Sequence, residues 1–432
     1  MSSVDRRLAA ASARGFTTQR RLLEAAESRF QEGGYEGTSL ASIAQDVGYT
    51  TGAIYQHFSG KIDLLRGLLA DYADVVQEAL AEATDLEDLF ARWFDVNRRF
   101  GGTMRAGEEM LNADAEVEES MRVARRRCAA LLTTLTLDQG WVPEARLRAF
   151  DAPAKPMDPP VWAQLATDAV AYLSLAERCG WISLKGAEGP RTLSVVLRHG
   201  MFVPGDAAPL PEGTRPGKVR RSSRRVLTWE PAPGRVRPAS ARGRATVRRI
   251  QQAANEVFAA SGMAQVTMED IAGHTNVRAG TAYQYFTDKE DLFRSLQAAV
   301  EDELYETSLY PADSAGRLDV AATYEQSLGA YRKNAGVYRA WRESMAGDDS
   351  QSRAWRKMFG RFLDQLQTIF HRGIDQGIVD PDLDPAMGAE TFSALVQQPM
   401  YVHVLHGWYE GCDDRDLART VEVMVRGDLP AA

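Results

Sequence analysis

The sequence predicts an all-α protein of two tandem units, each an N-terminal three-helix helix-turn-helix domain followed by a larger helical domain. Three observations carry this. TQRRLLEAAESRFQEGGYEGTSLASIAQDVGYTTGAIYQHFSGKIDLL, from Thr18, aligns without a gap with TVRRIQQAANEVFAASGMAQVTMEDIAGHTNVRAGTAYQYFTDKEDLF, from Thr246, with 16 of 48 positions identical. Within each copy the apolar pattern reads helix, tight turn, short exposed helix. Beyond each copy the chain shows helical periodicity and almost no strand signal.

Taken in order, Leu22, Ala26 and Phe30 recur at i, i+4 and i+8 and make one apolar stripe, which Gly33-Gly34 ends. Ser39 is positioned to N-cap a second helix that turns Leu40, Ile43, Ala44 and Val47 inward. Gly48 marks a tight turn. Its counterpart is Asn276, and Gly and Asn best tolerate a left-handed backbone. A short third helix is expected from about Thr51 to His57, with Ile54 and Phe58 facing the core. In the second copy Thr287-x-x-Glu290 reads as a capping box for a fourth helix. The expected domains are 1–65 and 244–293 for the two helix-turn-helices, 66–205 and 294–432 for the helical domains, and 206–243 for a linker.

That linker is rich in Pro, Gly, Ser and Arg. Between Arg215 and Arg249 stand twelve Lys/Arg against one acid, Glu230, although the whole chain carries a net charge of -8. Arg6, Arg7, Arg14, Arg20 and Arg21 form a weaker cluster before the first copy. Arg220, Arg221, Arg224, Arg225, Arg242 and Arg244 are therefore candidates for lying along a DNA backbone or in a minor groove; the alternative is a solvated tether. Hydrophobic residues at 44% and charged residues at 25% fit a soluble globular chain, and no run approaches the roughly 18 apolar residues of a membrane helix. Cys128, Cys179 and Cys412 stand in no metal spacing and suit a reducing cytoplasm. The expected location is cytoplasmic, on the nucleoid when DNA is bound.

GYTTGAIYQHFSGKIDLL resembles the signature of the tetracycline-repressor (TetR) family of bacterial regulators, and NVRAGTAYQYFTDKEDLF is similar though less typical at its start. The resemblance covers about 48 residues per copy. It implies a sequence-specific DNA-binding transcriptional regulator, a ligand-responsive repressor. Tyr55, His57 and Lys61, with Tyr283, Tyr285 and Lys289, would touch phosphates. Thr38, Ser39 and Thr267 would do so from the start of the second helix. Thr50, Thr51, Gly52, Ala53 and Gln56 would lie over bases, as would Arg278, Ala279, Gly280, Thr281 and Gln284. Arg278 stands opposite Thr50 and either reads guanine or holds a phosphate. The second copy departs at Asn276, at Val266 (opposite Thr38), and at Ala282 (opposite Ile54), where looser packing is expected.

The family's helical domains hold a ligand pocket, and their last two helices pair in a dimeric four-helix bundle. Trp93, Phe100, Met104, Trp162 and Tyr172 in the first copy, with Trp341, Trp355, Phe359, Phe362 and His403 in the second, are candidates for lining a pocket for a small, largely apolar effector; packed core is the competing expectation for each. His403 and His406 stand at i, i+3 with no third ligand near, so neither a metal nor a cofactor is expected. No phosphate-cradling glycine loop, HExxH, GxSxG or CxxC is present, which argues against an enzyme. The rival class is a helical DNA-bridging, architectural protein without an effector. Two copies in one chain suggest an intramolecular pseudo-dimer on an asymmetric operator; two chains pairing as a homodimer with four heads is the alternative.

Overall fold

A computed structural model describes the backbone of residues 3–151, 157–184, 186, 188–202, 232–275, 277–307, 320–347, 360, 363–364, 366–377 and 379–426. Among these the protein is helical throughout, with no strand; two isolated bridges at Phe202 are the only extended pairing. The chain parts into two compact units, residues 1–82 with 92–128, and residues 83–91 with 129–432. This division does not follow the repeat boundary: the end of the first copy belongs with the second copy.

In the first unit, α1 (Ser3–Gly33), α2 (Leu40–Asp46), α3 (Thr51–Ile54) and α4 (Lys61–Ala81) build the helix-turn-helix. Leu22, Ala26, Phe30, Ile43, Ile54, Phe58, Leu64 and Leu68 close one core, which Ala106 of α6 (Gly101–Met110) and Val117 of α7 (Ala115–Gln139) complete. The stripe expected from i, i+4, i+8 spacing is thus the buried face of α1. Gly34 (φ 67°) and Gly48 (φ 72°) take the left-handed backbone that ends α1 and makes the turn. Above this core, helix α5 (Leu86–Arg99) brings Trp93 and Asn97 to Tyr72.

In the second unit, α11 (Ala241–Ser261), α12 (Met268–Gly273), α13 (Ala279–Tyr285) and α14 (Lys289–Thr307) repeat the helix-turn-helix. Ala282 is as fully buried as Ile54, so the smaller residue leaves no exposed gap. Asn276 lies outside the described residues. The start of α14 differs from the expected Thr287–Glu290 box by one residue. Asp288 accepts from the Asp291 amide at 2.7 Å, and Asp291 accepts from the Thr287 amide at 3.0 Å. Aspartate at both places makes the shifted register the better cap.

The same unit holds α8 (Glu144–Asp151), α9 (Val161–Arg178) and α10 (Glu188–Arg198) of the first copy. From the second copy it holds α15 (Val320–Lys333), α16 (Ala335–Gly347), α17 (Pro385–His406) and α18 (Asp414–Val425). Helix α9 packs along α17, and α8, α9 and α10 pack on α18. Helix α9 buries fifteen of its eighteen residues and α17 fifteen of twenty-two, as expected of helices covered on several sides. This seam therefore joins the two copies within one chain. Arg146 is buried there and donates to the carbonyls of Val196 (3.2 Å), Met424 (2.9 Å) and Arg426 (2.6 Å). The Met201 amide donates to Val425 at 2.6 Å, and the Tyr409 hydroxyl donates to the buried carboxylate of Asp168 at 2.5 Å.

Candidate nucleic-acid interface

The reading faces are built by capping. Ser39 accepts the Ser42 amide (3.1 Å) and Thr267 the Asp270 amide (3.2 Å). The third residue reaches back to the cap in each copy, so both second helices start on complete capping boxes. The third helix is one turn in the first copy, Thr51–Ile54, followed by a turn over Tyr55–His57. In the second it runs Ala279–Tyr285. With Ile54 and Ala282 buried inward, Thr50, Gly52, Tyr55 and Gln56 are exposed, and Thr51, Ala53 and His57 partly so. In the second copy Arg278, Gly280 and Gln284 are exposed, and Ala279, Thr281, Tyr283 and Tyr285 partly so. The base-facing candidates of each copy therefore do come together on an open surface.

Three phosphate candidates do not stand open. Thr38 is buried and donates its hydroxyl to the carbonyls of Gly34 (2.7 Å) and Arg29 (3.0 Å), which corrects the expectation that it faces a phosphate. Val266, buried at the same place in the second copy, confirms a packing position. Lys61 sits 4.0 Å over the Tyr35 ring and donates to the carbonyls of Tyr35 (2.6 Å) and Thr38 (2.8 Å). Lys289 gives its ammonium to Met263 (2.9 Å), Ala264 (3.3 Å) and Val266 (3.0 Å), which uses all three of its donors. Burial holds the Lys61 pKa below the ordinary lysine value, with Glu36 and Glu109 opposing. Both lysines tie the loop between the first two helices to the fourth. Lys61→Met should therefore lower the thermal midpoint of the first unit by the loss of about 1–3 kcal/mol, while the salt dependence of DNA binding keeps its slope. A slope reduced by about one contact at unchanged stability would restore the phosphate role.

The two heads differ in charge around the start of the second helix. The first turn of α2 has no acid, whereas α12 carries Glu269 and Asp270. Glu269 accepts the Tyr283 hydroxyl at 3.4 Å; Tyr283 is raised above the ordinary tyrosine value by desolvation first and then by Glu269. Tyr55, its counterpart, is 58% exposed. In the first head Arg29 grips Asp46 at 2.5 and 2.6 Å, and its hydrogen bonds hold the Asp46 pKa below the ordinary value. Arg21 donates to the Tyr49 hydroxyl (3.2 Å) and to Val47 O (3.1 Å) across the turn.

A clamp that the sequence analysis missed joins each helix-turn-helix to its helical domain. Arg105 and Glu109 of α6 pair at 3.3 Å. Glu109 accepts the Tyr35 amide (2.6 Å) and Arg105 donates to Gln31 O (3.2 Å). In the second copy Arg339 and Glu343 of α16 also pair at 3.3 Å. Glu343 accepts the Met263 amide (2.8 Å), and Arg339 donates to Ala259 O (2.7 Å). A Cβ at Gly34 or Gly262 would collide with the clamping carboxylate, a second reason for glycine there. The signal was Gly-x-x-Arg-Ala-x-x-Glu at Gly102 and again at Gly336, displaced from the main repeat by six residues. Burial, as the largest cause, raises both glutamates above 4.5, against the loop amides and arginines. The folded state thus holds these protons more tightly than the unfolded chain. The stability they contribute is fully present below pH 4.5 and is lost as pH rises through the raised values. Glu109→Gln with Glu343→Gln should flatten the thermal midpoint against pH in that window; an unaltered profile would assign the slope to other groups.

The ligand candidates lie in packed surroundings. The Trp93 indole donates to the Tyr72 hydroxyl (3.2 Å), which donates to Asn97 (2.9 Å), and Phe100 meets the Tyr72 ring edge-on. Met104 packs on the helix-turn-helix core, away from that cluster. Trp162 lies against Phe150, and Trp162 and Tyr172 are buried on the seam helix α9; Trp341 is buried on α16. His403 bonds Asp414 at 3.0 Å beside Arg332, and no group able to hold a metal occurs among the described residues. Trp355, Phe359 and Phe362 lie outside the described residues, as do Arg220, Arg221, Arg224 and Arg225. Among the described residues no helix is long and apolar enough to cross a membrane.

The sequence profile of bacterial regulatory proteins of the tetR family matches residues 22–68 and again 250–296. The HTH-type transcriptional regulator TtgR of Pseudomonas putida is 42% identical over 71 residues, 16% of this chain and 33% of the relative. The HTH-type transcriptional regulator YhgD of Bacillus subtilis is 24% identical over 197 residues, 42% of this chain and 95% of the relative. A crystal structure described as a TetR-family transcriptional regulator, from Mesorhizobium loti, is similar at 21% identity and a TM-score of 0.31, covering 43% of this chain and 98% of that one. Two segments of the chain, each folded as a helix-turn-helix, therefore match the tetR-family profile, which supports a regulator of that kind built of two tandem units. The chain spans about a third of the length of TtgR.

Proposed function

We propose that the protein is a sequence-specific DNA-binding transcriptional regulator, a ligand-responsive repressor that acts as a covalent pseudo-dimer on an asymmetric operator. The observation that carries this is the seam: α9 and α10 of the first copy pack on α17 and α18 of the second in the same chain, where a homodimer would use two copies of one surface. Both heads remain open, one presenting Thr50, Thr51, Ala53 and Gln56 and the other Arg278, Ala279, Thr281 and Gln284. The phosphate partners in this reading are Ser39, Tyr55 and His57 in the first head and Tyr285 in the second. The Arg105–Glu109 and Arg339–Glu343 clamps supply a physical link by which an apolar effector in a helical domain would bias its head. The test is light scattering of the full chain on an operator selected from random DNA. One chain per duplex is expected. Two chains would give the four-headed assembly and overturn the pseudo-dimer. Failure to select any sequence, with tight binding to all duplexes, would favour an architectural protein.

A further inference from the structure

The two heads enter their first helices differently. Helix α1 is already helical at Ser3, whereas α11 begins only at Ala241, and residues 232–240 before it form a non-helical arm. The arm is fastened to the recognition helix. The Val236 amide donates to Gln284 O at 2.8 Å and the Arg235 guanidinium to Tyr283 O at 2.7 Å. These carbonyls belong to the last turn of α13, where no intrahelical donor is available. Ser240 caps α11, Arg244 folds back on Ala239 O at 2.5 Å, and a Cβ on Gly243 would stand 3.4 Å from the Tyr285 hydroxyl. Between residues 231 and 255 the chain carries six arginines and no acid.

This head also differs from the first in charge at the start of its second helix. Glu269 and Asp270 occupy the start of α12. Asp270 engages the amide and hydroxyl of Thr267 at 2.9 and 2.6 Å, and Glu269 takes the Tyr283 hydroxyl. Ala41 and Ser42 stand at those places in the first head. Carboxylates there repel a phosphate and occupy the hydroxyls that would bind it.

We infer that the second head grips DNA chiefly through this arm. Fastened to the end of α13, the segment Arg235–Arg244 places Arg237, Arg242 and Arg244 on backbone phosphates flanking the half-site that α13 reads, in place of the start of α12. The inference rests on the DNA-binding reading above and assigns its second half-site a different anchor. Each phosphate neutralised adds about 0.9 to the slope of log affinity against log salt.

The experiment titrates the selected operator with the full chain across salt, using three variants. Arg237→Ala with Arg242→Ala and Arg244→Ala should lower the slope by about two to three, and should abolish phosphate-ethylation interference only on the flank under the second head. Val236→Pro keeps every charge but removes the amide donated to Gln284. It should weaken binding about fivefold at an unaltered slope, the worth of one hydrogen bond that orders the arm. Glu269→Ala should strengthen binding. Circular dichroism melting confirms that the exposed-arginine variant is folded. Unchanged slope and interference in the triple variant would overturn the proposal, as would wild-type affinity in Val236→Pro. If the wild-type chain binds no duplex, the DNA-binding reading itself fails, which is a distinct result.

Discussion

Replacing Arg146 with Met is expected to cost the seam between the copies about 3–5 kcal/mol, the largest stability loss of any single substitution considered. The guanidinium is buried and spends its donors on three backbone carbonyls, two of them at the end of α18 in the other copy. It also lies 4.8 Å from the Phe150 ring centre. Methionine fills a similar volume, so packing is largely kept. What is lost is three charge-assisted hydrogen bonds; Val196 O keeps the Gly200 amide at 3.1 Å, while the Met424 and Arg426 carbonyls are left to find other partners. The amides of Met201 and Phe202, both donating to Val425 O, report on the same junction. Hydrogen exchange should accelerate at these two amides by about two orders of magnitude or more, while amides inside α1 and α4 keep their protection. Protection retained at Met201 and Phe202 would mean that apolar packing of α9 on α17 holds the copies together without the arginine.

The parts of the fold written in local pattern were legible, and the parts made by long-range pairing were not. Gly34 and Gly48 announced their turns because a left-handed backbone selects for glycine. Ser39 announced its cap because a short hydroxyl before an apolar run has one economical use. Thr38 stood beside it with the same chemistry and turned inward, and only the burial of Val266 at the equivalent place tells the two apart. Lys61 and Lys289 were legible as matched residues but not as loop-binding ones: a lysine in a motif looks like a phosphate ligand until loop carbonyls appear around its ammonium. That the last helices of the two copies pair was implied by the resemblance, but which faces meet was beyond the sequence for a different reason. Helices α9 and α17 are apolar on nearly every side, so no stripe says which face meets which partner. The arm on α13 was hidden because its main contact is backbone to backbone, which leaves no side-chain signature.

Operator selection should return two unlike half-sites, and a change of two residues should make them alike. The first head offers hydroxyls at Thr50 and Thr51 with an amide at Gln56. The second offers a guanidinium at Arg278, a methyl at Ala279, a hydroxyl at Thr281 and an amide at Gln284. Arg278 is exposed immediately before α13, where the N-terminal residues of a recognition helix meet base edges. Arginine pairs with guanine O6 and N7, so the half under the second head should be the more sensitive to guanine substitution, at about 1–3 kcal/mol per mismatch. Thr50 is exposed and Thr51 partly so, and the Thr50 side chain makes no capping bond in α3, so Thr50→Arg with Thr51→Ala alters the reading face without disturbing the core. That variant should move the preferred site toward two copies of the second half-site, with a gain of about tenfold for the symmetric duplex over the original. Selection followed by footprinting reads both outcomes. A strict palindrome bound by one wild-type chain would show that the unlike residues do not read sequence. An asymmetric site whose guanines tolerate substitution would assign Arg278 to a phosphate and leave the asymmetry to Thr281 and Gln284.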